Sequence, residues 1–294
     1  MDIARELGFC EKKEVISPDE VLVITDVRAT PKTVFPGGQV RLTVFLQNID
    51  QEKDLPIEEG QQILAELYDY WIFKVDSTPA VPPIPPGGTR KVEWTLTAPS
   101  KEEIAGVKSE VDLKFRFIFP FEGRTTKELT VMTEKEYYAI LDSGENFPIM
   151  GQTKTGGPVK VFAEIGTERP LIIGKSFPVY ITVKNVGKGF VYNGVILPDE
   201  LKITFPENIV VCDKMYEGDE FECEGCTCTN KKELRFFEDS TNRYSFNIKI
   251  KDSGEEIEKL VNGANPYLTK NIYVDFAYLY ELRGEAKVTV QPYE

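Results

Sequence analysis

The chain has 294 residues, enough for two domains that each bury a core without help from metal or disulfide. Its 35 Lys and Arg against 48 Asp and Glu leave a formal charge of −13 with no basic cluster to offset it, which excludes nucleic acid as a partner. It has no histidine, so the commonest general base, the usual partner of Ser and Cys nucleophiles and the commonest metal ligand are all missing.

Apolar residues make up 41% and are rich in Val, Ile, Tyr and Phe, a globular composition biased toward strands. No apolar run approaches the roughly 20 residues of a membrane span, and "MDIARELGF" is too short and too acidic for a signal peptide. The expectation is a soluble chain whose only route to a membrane is a segment outside it. Dense Lys, Glu and Ile with few Gln suit a thermophile, in which intracellular disulfides are less rare than usual.

Residues 1–17 read as an N-terminal segment. From Val21 the sequence runs in short alternating pieces: "VLVITDV", the turn "FPGGQ", then "VRLTVFLQN". In the last of these Val40, Leu42, Val44 and Leu46 share one face of a strand, and Arg41, Thr43 and Gln47 the other. "TPAVPPIPPGG" at 78–88 reads as a polyproline loop ending in a strand-opening turn, with a Pro-rich ligand for a partner as the sharper alternative. "RKVEWTLTAPSKEEIAGV" is a strand followed by Ser100-x-x-Glu103, a capping-box pattern that opens a short helical crossover. "DLKFRFIFPFEGRTTKELTV" places Phe115, Phe117 and Phe119 on one face and then predicts a turn at its Gly, making a hairpin. Residues 134–156 form a linker in which Tyr137, Tyr138 and Leu141 can pack on a domain and "GQTKTGG" is a flexible stretch.

The same landmarks return in the same order. Aligning Gly37 with Gly174 aligns Asn48 with Asn185, and "YSFNIKIKDSGEEIEKLV" repeats the strand and capping box as Ser253-x-x-Glu256. "NIYVDFAYLYELRGEAKVTV" repeats the final hairpin, with Tyr273, Asp275, Ala277 and Leu279 alternating against Val274, Phe276, Tyr278 and Tyr280. The predicted fold class is all-β: two tandem immunoglobulin-like Greek-key sandwiches at 18–133 and 157–294, each with a helical crossover.

"TPKTVFPGGQVRLTVFLQNID" and "ERPLIIGKSFPVYITVKNVGKG", each a Pro, a turn Gly, an alternating strand and then N-x-D or N-x-G, resemble the second-strand signature of CARDB-type domains. Those are immunoglobulin-like modules of archaeal and bacterial cell surfaces. The second copy carries the intact "VKNVGKG"; the first has Asp50 in place of the Gly. The resemblance implies an extracytoplasmic module used in adhesion, surface layers, filaments or envelope proteins, usually without catalysis.

Four of the five cysteines, Cys212, Cys223, Cys226 and Cys228, fall within "CDKMYEGDEFECEGCTC". A tetrahedral thiolate site for Zn or an iron cluster is one reading, but there is one C-x-x-C instead of two. A redox pair is another, but the acidic, strand-like surroundings raise a thiol pKa. Two disulfides that staple a polar loop are preferred, the default outside the cytoplasm. Linking Cys226 to Cys228 would strain a small ring; of the pairings that remain, Cys212 with Cys228 outside and Cys223 with Cys226 inside is favoured. Cys10 is left over.

Other constellations have bland readings. Asp213, Glu217, Asp219, Glu220, Glu222 and Glu224 lack the register of a Ca²⁺ loop and read as a solvated face. Glu66, Asp69 and Asp76 near "YDYW" are no evidence of a glycosidase pair, since linear spacing does not pair carboxylates in a β protein. Tyr68, Tyr70 and Tyr278 would make a sugar-stacking or partner-binding stripe if they face outward, whereas Trp71, Phe73, Phe117 and Phe276 are assigned to the core. No catalytic residue, cofactor or metal is expected. The function expected is a structural or adhesive protein of the cell surface, contacting other proteins or copies of itself. The alternatives are an intracellular arrestin-like adaptor and, below it, a hydrolase accessory that binds carbohydrate.

Overall fold

The computed structural model describes residues 19–50, 53–56, 61–263 and 265–292, so Cys10 and the rest of the N-terminal segment lie outside the described residues. The first half supplies β1 (Leu22–Thr30), β2 (Thr33–Val34), β3 (Gln39–Asn48), β4 (Leu64–Asp69), β5 (Lys74–Ser77), β6 (Thr89–Thr97) and β7 (Ser109–Met132). After helix α1 (Glu134–Ser143) come β8 (Gln152–Lys154), β9 (Val159–Ile165), β10 (Leu171–Ile172), β11 (Ser176–Asn185), β12 (Phe190–Val191), β13 (Val195–Ile196), β14 (Leu201–Thr204) and β15 (Val210–Val211). The chain continues through β16 (Phe221–Glu224), β17 (Thr227–Asn230), β18 (Leu234–Phe237), β19 (Ser240–Thr241), β20 (Tyr244–Ile250), helix α2 (Glu255–Val261) and β21 (Leu268–Val290).

Strand order repeats as the sequence does. One sheet of the first sandwich runs β1-β3-β6-β5, and its counterpart in the second contains β9, β11, β20 and β15 with the same neighbours. Alternation sets which face is buried: Val40, Leu42, Val44 and Leu46 of β3 point inward, as do Tyr244, Phe246, Ile248 and Ile250 of β20. The opposing sheets are where expectation and structure part.

The turns expected at Gly123 and Gly284 do not form. β7 and β21 run straight through them and pair antiparallel along their length, from Leu268 opposite Val131 to Val290 opposite Ser109. Each strand therefore begins in its own sandwich and ends in the other. The last residues of β21 lie parallel to β2, with Thr289 beside Thr33, and the last residues of β7 lie parallel to β10, with Val131 beside Leu171. Units defined by sequence repeat and units defined by hydrogen bonding thus differ by one exchanged strand each.

The reason the glycines do not turn is visible across the ribbon. Gly123 lies opposite Phe276, Gly284 lies opposite Phe115, and a Cβ on either glycine would overlap the facing ring. Glycine here makes room for an aromatic on the neighbouring strand, a known use in sheets. The symmetry of the two pairs makes the ribbon a pseudo-twofold, with Phe119 opposite Tyr280 at its centre.

Below the ribbon, Trp94 packs 5.8 Å from both Phe115 and Phe117 in the first sandwich, and Phe246 packs against Phe205 and Phe221 in the second. The signature asparagines are structural. Asn48 Oδ1 accepts from Asp50 N–H and its Nδ2 donates to the Lys53 and Ile84 carbonyls; Asn185 Oδ1 accepts from Gly187 N–H and Nδ2 donates to the Gly189 carbonyl. Each Asn thus fixes the turn after its strand. A joint between the sandwiches forms where Glu20 accepts from Lys188 N–H and Asp19 pairs with Lys160. Burial raises the Glu20 carboxyl above its ordinary range.

Several local expectations are corrected. The Ser100–Glu103 capping box forms reciprocally, yet it opens only a single turn, which ends where Ala105 and Gly106 take positive φ. In the second copy helix α2 forms, but it starts at Gly254 with no side-chain cap. The stretch expected to be flexible contains β8, which pairs with β7 at Thr125–Lys127. Tyr138 and Leu141 of α1 are exposed, while Tyr137 stacks on Phe147 at 5.0 Å and accepts from Arg169. The Pro-rich loop is anchored by buried Val81 and Ile84, bridged to Ile63 and Leu55, which favours the strand-opening reading over a free ligand.

Candidate functional site

The cysteines sit on a hairpin. β16 and β17 are joined through Gly225 and Cys226, with Gly225 at φ 56°, and their register sets Cys223 directly opposite Cys228. The bonds are Cys223–Cys228, with Cα atoms 4.0 Å apart, and Cys212–Cys226, at 4.8 Å. This corrects the expected Cys212–Cys228 and Cys223–Cys226 pairing. Strand register decides it: facing residues on paired strands leave Cys226, in the turn, to reach Cys212 after β15.

The loop is less polar inside than its sequence suggests. Met215 and Phe221 are buried, and Phe221 makes edge contacts with Tyr216 and Tyr244. Burial pushes the Tyr216 phenol well up, and its hydroxyl donates to Glu220 at 2.6 Å. The acidic side chains face separate partners: Asp219 pairs with Lys232, which holds its carboxyl below the usual range, and Glu222 lies 3.7 Å from Lys231. Among the described residues no group of three or more His, Cys, Asp or Glu side chains is placed to hold a metal.

The two bonds differ in how much chain they close. With separations of 14 and 5 residues, loop closure assigns about 3 kcal/mol to Cys212–Cys226 and about 2 kcal/mol to Cys223–Cys228. Replacing Cys212 and Cys226 by Ser is therefore expected to lower the denaturation midpoint more than replacing Cys223 and Cys228. Equal or reversed shifts in paired urea titrations would contradict the loop-closure account.

A second surface lies on the outer face of the ribbon. Arg116 of β7 pairs with Glu66 of β4 at 2.7 Å and approaches buried Glu281 of β21 at 3.6 Å. Arg283 bonds the same Glu281 at 2.7 Å. The guanidinium of Arg116 lies 5.7 Å from the Tyr68 ring and 5.6 Å from Tyr192, and that of Arg283 lies 4.6 Å from Phe190. Tyr68 and Phe190 are exposed, so the row presents two aromatic rings to solvent, each with a guanidinium beside it. Beside it is a groove of about 420 Å³ lined by Gln61, Pro120, Glu122, Tyr192, Leu197 and Leu279.

Of the aromatics singled out from sequence, only Tyr68 belongs to this face. Tyr278 is buried and its hydroxyl accepts from Val159 N–H. Trp71, assigned to the core, is 43% exposed in the turn after β4, where it takes φ 52°; Phe73, Phe117 and Phe276 are buried as expected. Glu66, Asp69 and Asp76 do not converge: Glu66 is tied to Arg116, Asp69 to Lys114, and Asp76 to Thr97 in the other sheet. Sequence reasoning does not single out Arg116, Phe190, Tyr192, Glu281 or Arg283. The available signal was polar alternation in "KFRF" and "YELRG", but their meeting depends on the β7–β21 exchange.

Fold and surfaces together define an all-β protein of two immunoglobulin-like sandwiches. No family model matches the chain, and no curated protein matches it. Among solved structures, similarity is found to the Enterococcus faecalis MSCRAMM ACE, described as binding its ligands by the collagen Hug model, at 11% identity over 92% of this chain and 95% of that one, with a TM-score of 0.14. It is also found to the collagen adhesin CNA from S. aureus, at 10% identity over 95% of each chain, with a TM-score of 0.12. Likeness at that level carries no argument, and the fold assignment rests on the strand order.

Proposed function

We propose that this chain is a non-catalytic structural or adhesive protein of the cell exterior, of the kind that builds surface layers, filaments or envelope assemblies through contacts with other proteins. Its modules are the two repeats, 18–133 and 157–294, taken with their last strands exchanged and with residues 134–156 between them. The observation that carries the reading is the pair of disulfides bracing the β16–β17 hairpin at a sheet edge. Such bonds persist in oxidising compartments, which favours the exterior over an intracellular adaptor.

The contact face we assign is the row of Tyr68, Arg116, Arg283 and Phe190, since aromatic and Arg side chains dominate the energetics of protein contacts. The groove beside it supports a second reading, in which Tyr192 and its polar neighbours hold a carbohydrate. The test is binding of purified protein to the envelope fraction of its own cells, and to a glycan panel, for the parent and a Tyr68→Ala/Phe190→Ala double variant. Both rings are exposed, so the fold is expected to survive and envelope binding to fall at least tenfold, the effect of about 1.4 kcal/mol or more. Unchanged binding would remove this face from the proposal. Saturable binding to one glycan, kept in the double variant and lost in Tyr192→Ala, would move the assignment to the second reading.

A further inference from the structure

Two arrangements of β7 and β21 are compatible with the repeat. In the one observed, each repeat takes its last strand from the other. In the other, each would fold back into its own hairpin with the register kept by the repeat, which puts the turn at Phe119 or Tyr280, four residues before the glycines at which the sequence predicts one. The glycines do not choose between them, because Gly284 would face Phe276 in a closed second repeat just as it faces Phe115 in the exchanged one.

Charge does choose. In the exchanged ribbon Arg124 stands opposite Asp275 and forms an ion pair with it, and Lys114, which bonds Asp69 of β4, stands opposite Glu285. The pseudo-twofold that carries Phe115 onto Phe276 carries Lys114 onto Asp275 and Arg124 onto Glu285. Closing the repeats would therefore set Lys114 opposite Arg124 and Asp275 opposite Glu285. Both rungs would change from attraction to repulsion. Exchange between like repeats of two chains would create the same clashes. A like-charged pair in the observed ribbon, Arg116 opposite Arg283, is bridged by Glu281, which both arginines reach. In a closed first repeat Arg116 would face Glu122 beside the turn, a single attractive rung set against the repulsive ones further out.

We propose that these four charges select the strand partner: they make each repeat accept its last strand from the unlike repeat of the same chain, and they bar both the closed hairpin and the pairing of like repeats. Facing opposite charges favour a strand pair and facing like charges disfavour it, and arranging both gives specificity by attraction and by repulsion at once.

The test exchanges charges without changing composition. Two cysteine reporters are placed in the full chain: Glu110→Cys/Thr289→Cys, which face each other only in the exchanged ribbon, and Asn271→Cys/Thr289→Cys, which would face each other only in a closed second repeat. Proteins are unfolded, refolded and oxidised, and cross-links are mapped by mass spectrometry. The parent is expected to give the first link within one chain and not the second. Arg124→Glu/Glu285→Arg makes the exchanged rungs repulsive and the closed rungs attractive, so the first link is expected to fall about tenfold or more while the second appears. Adding Lys114→Glu and Asp275→Lys, with Asp69→Asn so that the new Glu meets no carboxylate on β4, restores opposite charges across the exchanged ribbon, and the first link is expected to return. That return keeps the test decisive even if the double variant fails to fold. A double variant that keeps the parent yield of the first link, a charge-restored variant that does not recover it, or a parent that gives the first link mainly between chains would overturn the proposal.

Discussion

A fragment comprising residues 119–280 is expected to fold on its own, and one comprising residues 157–280 is not. The longer piece holds the whole second sandwich, because the strand that completes its sheet is the end of β7, which precedes the linker. The shorter piece lacks that strand and with it buried Phe119, Phe121, Leu129, Val131 and Met132. Burial of such side chains contributes about 1.5–3 kcal/mol each, so their sum is comparable with the whole net stability of a domain, about 5–15 kcal/mol. Its loss also leaves β21 with an unpaired edge, a route to aggregation. Near-ultraviolet circular dichroism and urea titration of both fragments decide the matter. If 157–280 unfolds cooperatively at the same midpoint as 119–280, the exchanged strand is not integral to the second sandwich.

Gly123→Ala and Gly284→Ala are each expected to destabilise the protein by about 1–3 kcal/mol, an unusual cost for so small a change. The added methyl would overlap the ring of Phe276 in one case and Phe115 in the other. Both rings are buried and cannot swing to solvent. Eight residues of β7 separate the two sites along the ribbon, about 27 Å at the rise of an extended strand, so the losses should add in the double variant. Shortening the facing ring, as in Gly123→Ala/Phe276→Leu, should recover part of the loss. Shifts below about 0.5 kcal/mol in denaturant titration would mean that the close approach of ring and backbone is absent.

Period-2 alternation located β3, β11, β20 and the inward faces of β7 and β21, because each has one face on a core and one toward solvent. The repeat of turn, strand and Asn gave the tandem architecture, since both asparagines brace the same kind of turn. What could not be read were choices between partners at long range. A Gly after an aromatic strand is compatible with a hairpin and with close passage of a facing ring, and only the neighbouring strand tells them apart. Cysteine pairing failed for the same reason: spacing ranks ring sizes, while the register of β16 and β17 is set by the hairpin turn and by Phe221 reaching the core. The ribbon face was illegible because Tyr68, Arg116, Phe190 and Arg283 come from four separate strands.

The parallel contact of Thr33 and Val34 with Thr289 and Val290 also sets an order of events during synthesis. A chain leaving the ribosome normally completes its N-terminal domain first. Here the second sandwich has all its strands once residue 280 has emerged, whereas the first, begun at Leu22, must wait for the last stretch of β21. Until then one of its sheets stands with the β2 edge unpaired and the place beside the start of β7 empty. Such long-range closure is intrinsically slow, and the waiting half is the part of the nascent chain most in need of a chaperone.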